Sequence, residues 1–428
     1  MSDVLARFDS WLAGDDGPAA LVIRQYLQSV EGPDAVVFPP TFAAEAEGEK
    51  GDYNIDHFTG TFAAKVAYQA PGAEKLETDV RHEGGGNVCL VNSVGAEANR
   101  VEVLFRPDKF DGKYAGLVPQ VVVTAGEQRV NLLDAGHRAG DAIIRFTEVG
   151  EALFKSFQSL LDTNNAEPLA KIAPTSIVFG VWDSRGTQAK MPRVFRSVVR
   201  AYNVRRISRS AQFNRAMKYV EAGAINEELD KGSGDKNPLS REGFKDNPAG
   251  NTHGGVIVDG EIRRDMIVNL TAIRRLRVPG AADPGRNDPA RTLALRRYIL
   301  GLSLVAATAK NPERFDLREG CQLRLQRGRE SEWKAVPYDG DDQPVPELTA
   351  EAAFEYAQAA AEGFGVDAST RTVPFDADAA NKWLALDSKE QDKRRRQNPM
   401  TKQFTQPAEA PAPKKAGGKK GPQGDQPK

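Results

Sequence analysis

Residues 175–204 read TSIVFGVWDSRGTQAKMPRVFRSVVRAYNV, and the periodicity assigned to this stretch decides how the rest of the chain is arranged. TSIVFGVW at 175–182 is a short, unbroken apolar run rich in β-branched and aromatic residues. It predicts a strand buried on both faces, central to a sheet. MPRVFRSVVRAYN at 191–203 fits a helix with Pro192 in the first turn, where a missing N–H costs little. On that helix Met191, Val194, Phe195, Val198, Val199 and Tyr202 form an apolar stripe, and Arg193, Arg196 and Arg200 lie opposite. The loop between the two elements carries Arg185 and Lys190. NVRRISRSAQF after them adds Arg205, Arg206 and Arg209, with Tyr202 and Phe213 placed to stack on splayed bases.

Charge is distributed unevenly around this stretch. Residues 184–220 hold 10 Lys/Arg and no Asp/Glu, whereas residues 1–80 hold 14 Asp/Glu against 5 Lys/Arg, so the formal net charge of −1 hides a strongly basic segment. Guanidinium groups match phosphate oxygens in a planar fork. With no carboxylate nearby in sequence, these ten cations need either acids from distant parts of the fold or an external polyanion, and nucleic acid is the expected anion.

Outward from this segment the pattern is mixed. Helices are predicted at 4–13, 18–30, 93–105, 132–146, 289–308 and 348–363, and strands at 117–125 and 321–326. Residues 256–270 read as a hairpin around Asp259-Gly260, 44–60 as a loop, and 222–255 as a long mobile insertion. Helices mixed with separated strands, without regular βαβ spacing, give an α+β class. We expect one domain over 1–390 and a disordered Lys/Arg-rich tail over 391–428, where 10 Lys/Arg face 3 Asp/Glu.

Catalytic signatures are sparse. The phosphate-loop, dinucleotide, nucleophile-elbow and zinc-protease patterns are all missing from the sequence. His137 and Asp141, four apart beside Arg138, could orient an imidazole for acid-base work; a satisfied structural pair is the plainer reading. Cys89 and Cys321 are expected to be buried thiols rather than metal ligands, and no cofactor is expected. The acidic start, MSDVLARFDSWLAGDDG, resembles no signal peptide, so the expected location is cytoplasmic, with no membrane partner.

FPPTF at 38–42, SVGAEANRVE at 93–102, LLDAGHRAGDAIIR at 132–145, the segment at 173–204 and VDGEIRRDMIVNLTAIRRLR at 258–277 resemble the CRISPR-associated RAMP proteins, specifically the backbone subunit of type I-U (I-G) Cascade, the Csb family. That resemblance implies a modified RRM-like (ferredoxin-like) palm with long insertions. It implies copies stacked along a crRNA and held mainly to its phosphates, so that guide bases can pair with target DNA. Partners would be the crRNA, target DNA, other copies of the chain and other Cascade subunits, with no nuclease role in this antiviral ribonucleoprotein. By the same likeness Arg100, His137, Arg138, Arg263 and Arg264 join the RNA-binding candidates, and 222–255 would cover a base or touch a neighbouring subunit. Two alternatives remain: an RNA-processing endoribonuclease using His137 or Asp183, since some RAMP proteins that the chain is similar to cleave RNA, and a protein-interaction scaffold with the basic face on the acidic N-terminal region of another copy.

Overall fold

Leu21, Ile23, Gln25, Leu27 and Ser29 are buried while the residues between them are mostly half-exposed, which is the alternation of a strand with one covered face. The computed structural model describes residues 2–14, 16–44, 51–59, 62–68, 76–82, 85–310 and 314–396. Its main sheet is formed by β1 (Ala20–Ser29), β2 (Ile55–Phe58), β3 (Gly86–Asn92), β4 (Phe195–Tyr202), β7 (Ile262–Asn269), β8 (Cys321–Leu325) and β9 (Glu332–Val336). The order runs β8-β1-β7-β4-β3-β2, with β9 pairing the first half of β1, and each of these pairs is antiparallel. Strands β5 (Val204–Phe213) and β6 (Asn247–Val258) form a separate two-stranded arm.

Register gives the sheet two unlike faces. Leu21, Ile23, Gln25 and Leu27 sit opposite Val268, Met266, Arg264 and Ile262, and these sit opposite Phe195, Ser197, Val199 and Ala201. All twelve are buried. Helix α1 (Val94–Glu102) packs on β4 over this face, and α3 (Pro289–Thr308) packs on β7 and on α4 (Ala350–Phe364). The second half of helix α3, Tyr298–Ala307, is apolar and buried on every side, as a helical segment enclosed by its neighbours must be; its Tyr298 donates to the Leu117 carbonyl at 2.8 Å. Each helix begins at a side-chain cap, from Ser93, Asp288 and Thr349. A fourth helix, α2 (Glu148–Thr163), packs its Val149, Leu153 and Phe157 into the same core.

The α+β class is what the chain adopts, and the predictions at 4–13, 93–105, 117–125, 289–308, 321–326 and 348–363 match elements to within a few residues. Other expectations need correction. Residues 18–30 form β1, not a helix, because β7 on one side and β8 and β9 on the other satisfy its backbone. Residues 191–203 form β4, not an amphipathic helix. The apolar run at 175–182 is not a central strand: Pro174 opens a single helical turn, Thr175–Val178, and Gly180, at φ +82°, reverses the chain before the two-residue strand Val181–Trp182. Residues 132–146 make three short helical turns, broken at Arg138 (φ +54°) and recapped by Asp141.

The Asp259-Gly260 turn exists, yet it joins β6 to β7, which pair with different partners, so no 256–270 hairpin forms. The expected mobile insertion is largely structured: 247–258 is β6, and 214–246 contains a helical turn, Pro238–Arg241, capped by Asn237. Ile55–Phe58 is a strand inside the expected 44–60 loop. The expected tail opens with a helix, Ser388–Arg396, and 397–428 lie outside the described residues. Cys89 and Cys321 are both buried in one apolar cluster; burial pushes their thiols up to about 12 and about 11.

One polar group sits in the covered face. Arg264 Nε donates to Glu97 Oε2 and to Ser197 Oγ, each at 2.9 Å, while Glu97 also accepts from Asn92 Nδ2 at 2.6 Å and from Ser197 Oγ at 2.6 Å. Burial works against the Glu97 charge, but Arg264, Ser197 and Asn92 outweigh it and hold the carboxyl below its ordinary value. Replacing Glu97 with Ala strands a buried guanidinium, an expected loss of about 3–5 kcal/mol in a guanidinium chloride melt. Since its folded pKa lies below the unfolded 4.5, the Glu97 contribution is present above that pH and fades as pH falls through the folded value. The variant should therefore show a flatter acid limb than the parent.

Candidate nucleic-acid interface

The face of the sheet away from the helices is open. Its rows run across β4, β7, β1 and β9: Arg196, Ile267, Val22 and Lys334; then Val198, Asp265, Arg24 and Glu332; then Arg200, Arg263 and Tyr26. Acids and bases on the β7, β1 and β9 side neutralise one another. Asp265 takes Arg24 at 3.1 Å and Arg263 at 2.9 Å, Glu332 takes Arg24 at 3.6 Å and Lys334 at 3.5 Å, and Glu261 takes Arg263 at 2.9 Å and Arg329 at 3.0 Å. The β4 side is different. Arg196 is exposed and Arg200 half-exposed, and neither makes a hydrogen bond or ion pair among the described residues.

Two tyrosines also belong to this face, both under guanidinium planes. Arg263 lies 4.4 Å over the Tyr202 ring and donates to its hydroxyl at 2.6 Å, and Arg329 lies 3.1 Å over Tyr26. Burial raises the Tyr202 hydroxyl above its usual value against the pull of Arg263.

Beside β4 stands a fixed loop, 183–189. Asp183 is buried and its Oδ2 accepts from the Thr187 N–H at 2.6 Å and hydroxyl at 2.9 Å, while Oδ1 faces Arg145 at 3.9 Å. Gly186 lies so close to this carboxylate that a Cβ would collide with it. The loop therefore presents Arg185 to solvent from a braced backbone. Lys190 holds its ammonium 4.4 Å over Trp182, whose ring is 51% exposed. Arg193 is exposed beside Gly180; partial burial and then Arg138 bring its pKa below the ordinary arginine value.

The fold sorts the sequence-derived candidates into two groups. Among the described residues Arg185, Lys190, Arg193, Arg196, Arg200 and Arg209 have no carboxylate partner, and Arg209 lies 5.2 Å over Phe38. Arg205 pairs with Asp259 at 2.7 Å, Arg206 with Asp52, Arg215 with Glu221 and Asp246 at 3.9 Å, and Lys218 with Glu221 at 2.8 Å. Two candidates expected at the surface are instead interior. Arg138 is buried, donating to Glu102 at 2.7 Å and to Gly180 and Asn99 at 3.3 Å, and Arg264 is held by Glu97. Arg263 is fully engaged by Asp265, Glu261 and Tyr202. Arg100 is half-buried near the end of α1. His137 is exposed, with Nδ1 3.4 Å from Asp141, although no continuous helix joins them.

Trp182, Arg24, Arg329 and Lys334 were missed. Reading 20–29 at period two would have placed Arg24 on the open face, opposite Leu21, Ile23, Gln25 and Leu27; Trp182 and Arg329 carry no such local signal. Among the described residues there is no cluster of His, Cys, Asp and Glu able to hold a metal, and no helix long and apolar enough to cross a membrane.

Residues 21–206 match the model of a protein family described as CRISPR-associated protein GSU0053. The match runs from β1 to the start of β5, taking in the open face on β4 and the 183–189 loop, and it supports a CRISPR-associated protein. No curated protein matches the chain.

The bracing of the loop is directly measurable. Asp183→Ala removes two hydrogen bonds from a buried acceptor and should cost about 1–3 kcal/mol, seen as a lower melting temperature. Trypsin should also cut at Arg185 faster; an unchanged digestion rate would show the loop is held by something else.

Proposed function

We propose that the chain is a non-catalytic backbone subunit of a CRISPR effector complex, repeating along a crRNA and gripping its phosphates so that the guide bases can pair with target DNA. The observation that carries this reading is the set of six cations from the acid-free segment that have no carboxylate partner among the described residues. An ordinary solvated surface pairs most of its arginines, as this fold does on the arm and on the β1 side of the sheet. Arg196 and Arg200 share one face of one strand, Arg185, Lys190 and Arg193 lie on the chain that leads into that strand, and none of them meets a carboxylate among the described residues; an external polyanion would supply the missing counter-charge. An open antiparallel face carrying two aromatic rings also agrees with an RRM-like palm. Contacts to the crRNA and target DNA, to other copies of the chain and to other subunits of a Cascade-type assembly belong to the same proposal, as does the absence of cutting activity.

Salt dependence tests the reading. If six cations each meet a phosphate of a single strand, log affinity should fall against log salt with a slope near −4, from about −0.7 per contact. Arg196→Glu with Arg200→Glu should flatten that slope and weaken binding to labelled single-stranded RNA, while circular dichroism stays unchanged because both side chains leave the core. Arg205→Glu with Arg206→Glu should do less, since those charges are already paired. RNA binding that ignores salt, or none at all, rejects the proposal. Cleavage of the RNA by wild type that is lost in His137→Ala or Asp183→Ala would replace it with an endoribonuclease.

A further inference from the structure

Where the row of unpaired arginines ends, past Arg200 and Tyr202, the surface opens into a cavity of about 320 Å³ between the end of β1 and the turn from β6 to β7. That volume lies at the lower end of the range of small-molecule sites, large enough for one planar ring system and too small for a folded peptide segment. The turn is welded in place: Gly260 N–H donates to the Tyr202 carbonyl at 3.1 Å, Asp259 N–H to the Asn203 carbonyl at 2.9 Å, and Tyr202 N–H to the Glu261 carbonyl at 2.9 Å. A side chain at Gly260 would collide with Tyr202, so the cavity is preformed and depends on glycine there.

Its lining differs from everything around it. The charged groups are Asp259, Glu261, Arg263 and Arg329, two of each sign, and Glu261 bridges both arginines. The wall is therefore electrically balanced beside a strand that is strongly positive. Tyr202 with Arg263 laid over it supplies a flat, polarisable surface, and Leu27 and Val258 supply apolar floor. The side-chain amides of Gln28 and Gln326 also line the space and make no hydrogen bond among the described residues, leaving two donor-and-acceptor pairs for an incoming edge.

We infer that this cavity binds a single unpaired nucleobase of the strand whose phosphates lie on Arg196 and Arg200. A phosphate gains nothing from a neutral wall with two carboxylates, whereas an uncharged heteroaromatic ring with polar edges gains stacking and amide hydrogen bonds. The inference rests on the phosphate-grip reading, and places one base where that reading placed only backbone. Bases commonly stack on aromatic rings or guanidinium planes in this way.

The test uses the full-length protein and three probes: a labelled single-stranded RNA, the same ribose-phosphate chain with every base removed, and free adenosine or uridine monophosphate. The RNA should bind about tenfold more tightly than the abasic chain at equal salt, with the same salt slope, as expected for one stacked base. Ala35→Trp, which fills the cavity from its rim, should erase that difference and leave abasic binding unchanged. A 2-aminopurine placed along the RNA should be quenched at one position in wild type and at none in Ala35→Trp. Gln28→Ala with Gln326→Ala keeps the test available if the larger variant fails to fold, and should reduce the preference several-fold. Equal affinity for RNA and abasic chain overturns the base site while the phosphate grip stands; failure to bind either overturns the grip itself. Displacement of RNA by the free monophosphate, without any abasic difference, would instead make the cavity a mononucleotide site and reject its occupation by the bound strand.

Discussion

The contact on which the open face depends is the buried junction of Arg264 with Glu97 and Ser197. A charged pair in an apolar core stabilises little by itself, because desolvation offsets most of its attraction. Its effect here is on register. Arg264 on β7 sits opposite Val199 on β4, and Ser197, one step along the same face, accepts from it, so the two strands can meet in only one way without stranding a charge. A slip of β4 by one residue would turn Phe195, Val199 and Ala201 out to water and bury Arg196 and Arg200. The same junction ties α1 to the sheet through Glu97, which fixes the covered face as well as the open one.

With register fixed, the fold separates cations by what they can reach. On the arm, Arg205 and Arg206 meet Asp259 and Asp52, and the arm is tied to the body by the Val37–Val256 pair of backbone hydrogen bonds at 2.9 and 2.8 Å and by Gly255 N–H donating to Tyr53 at 3.0 Å. Its base is thus held to the body at the point where its arginines are neutralised. On β4 and the 183–189 loop these cations form no ion pair among the described residues: Asp265 is engaged by Arg24 and Arg263, and Asp183, two residues before Arg185, turns its carboxylate inward to cap Thr187 and face Arg145. The acidic surplus of residues 1–80 is used in part on the arm, through Asp52, and on α3, where Asp9 takes Arg297.

Much of this was legible. Helices α1, α3 and α4 showed themselves because each combines a capping residue with apolar positions at helical spacing. The class followed from them. The segment 191–203 did not, because Phe195, Val198, Val199 and Tyr202 satisfy a helical stripe while Phe195, Ser197, Val199 and Ala201 satisfy a strand, and a serine on the buried face hid the second pattern. What decides between them is pairing with β3 and β7, which lie about 60 to 110 positions away in sequence. Arg196 and Arg200 fall on one face under either reading, so the candidate surface survived an error in the element that builds it. Arg138 and Arg264 went the other way: their glutamate partners are 36 and 167 residues distant, and nothing local distinguishes a buried arginine from an exposed one.

The neutral cavity next to the arginine row follows from the same separation of charge. Glu261 sits in the turn just before β7, where it pairs with both Arg263 and Arg329. Without it, Arg329 would keep no carboxylate partner among the described residues, and positive charge would continue past Tyr202. A carboxylate that looks like a local defect in a basic surface is thus what gives that surface two chemically distinct parts. Under the proposed function, a nucleic-acid strand crossing from Arg196 to Tyr202 would meet charge first and a ring-sized neutral wall second, matching the phosphate and base of a nucleotide.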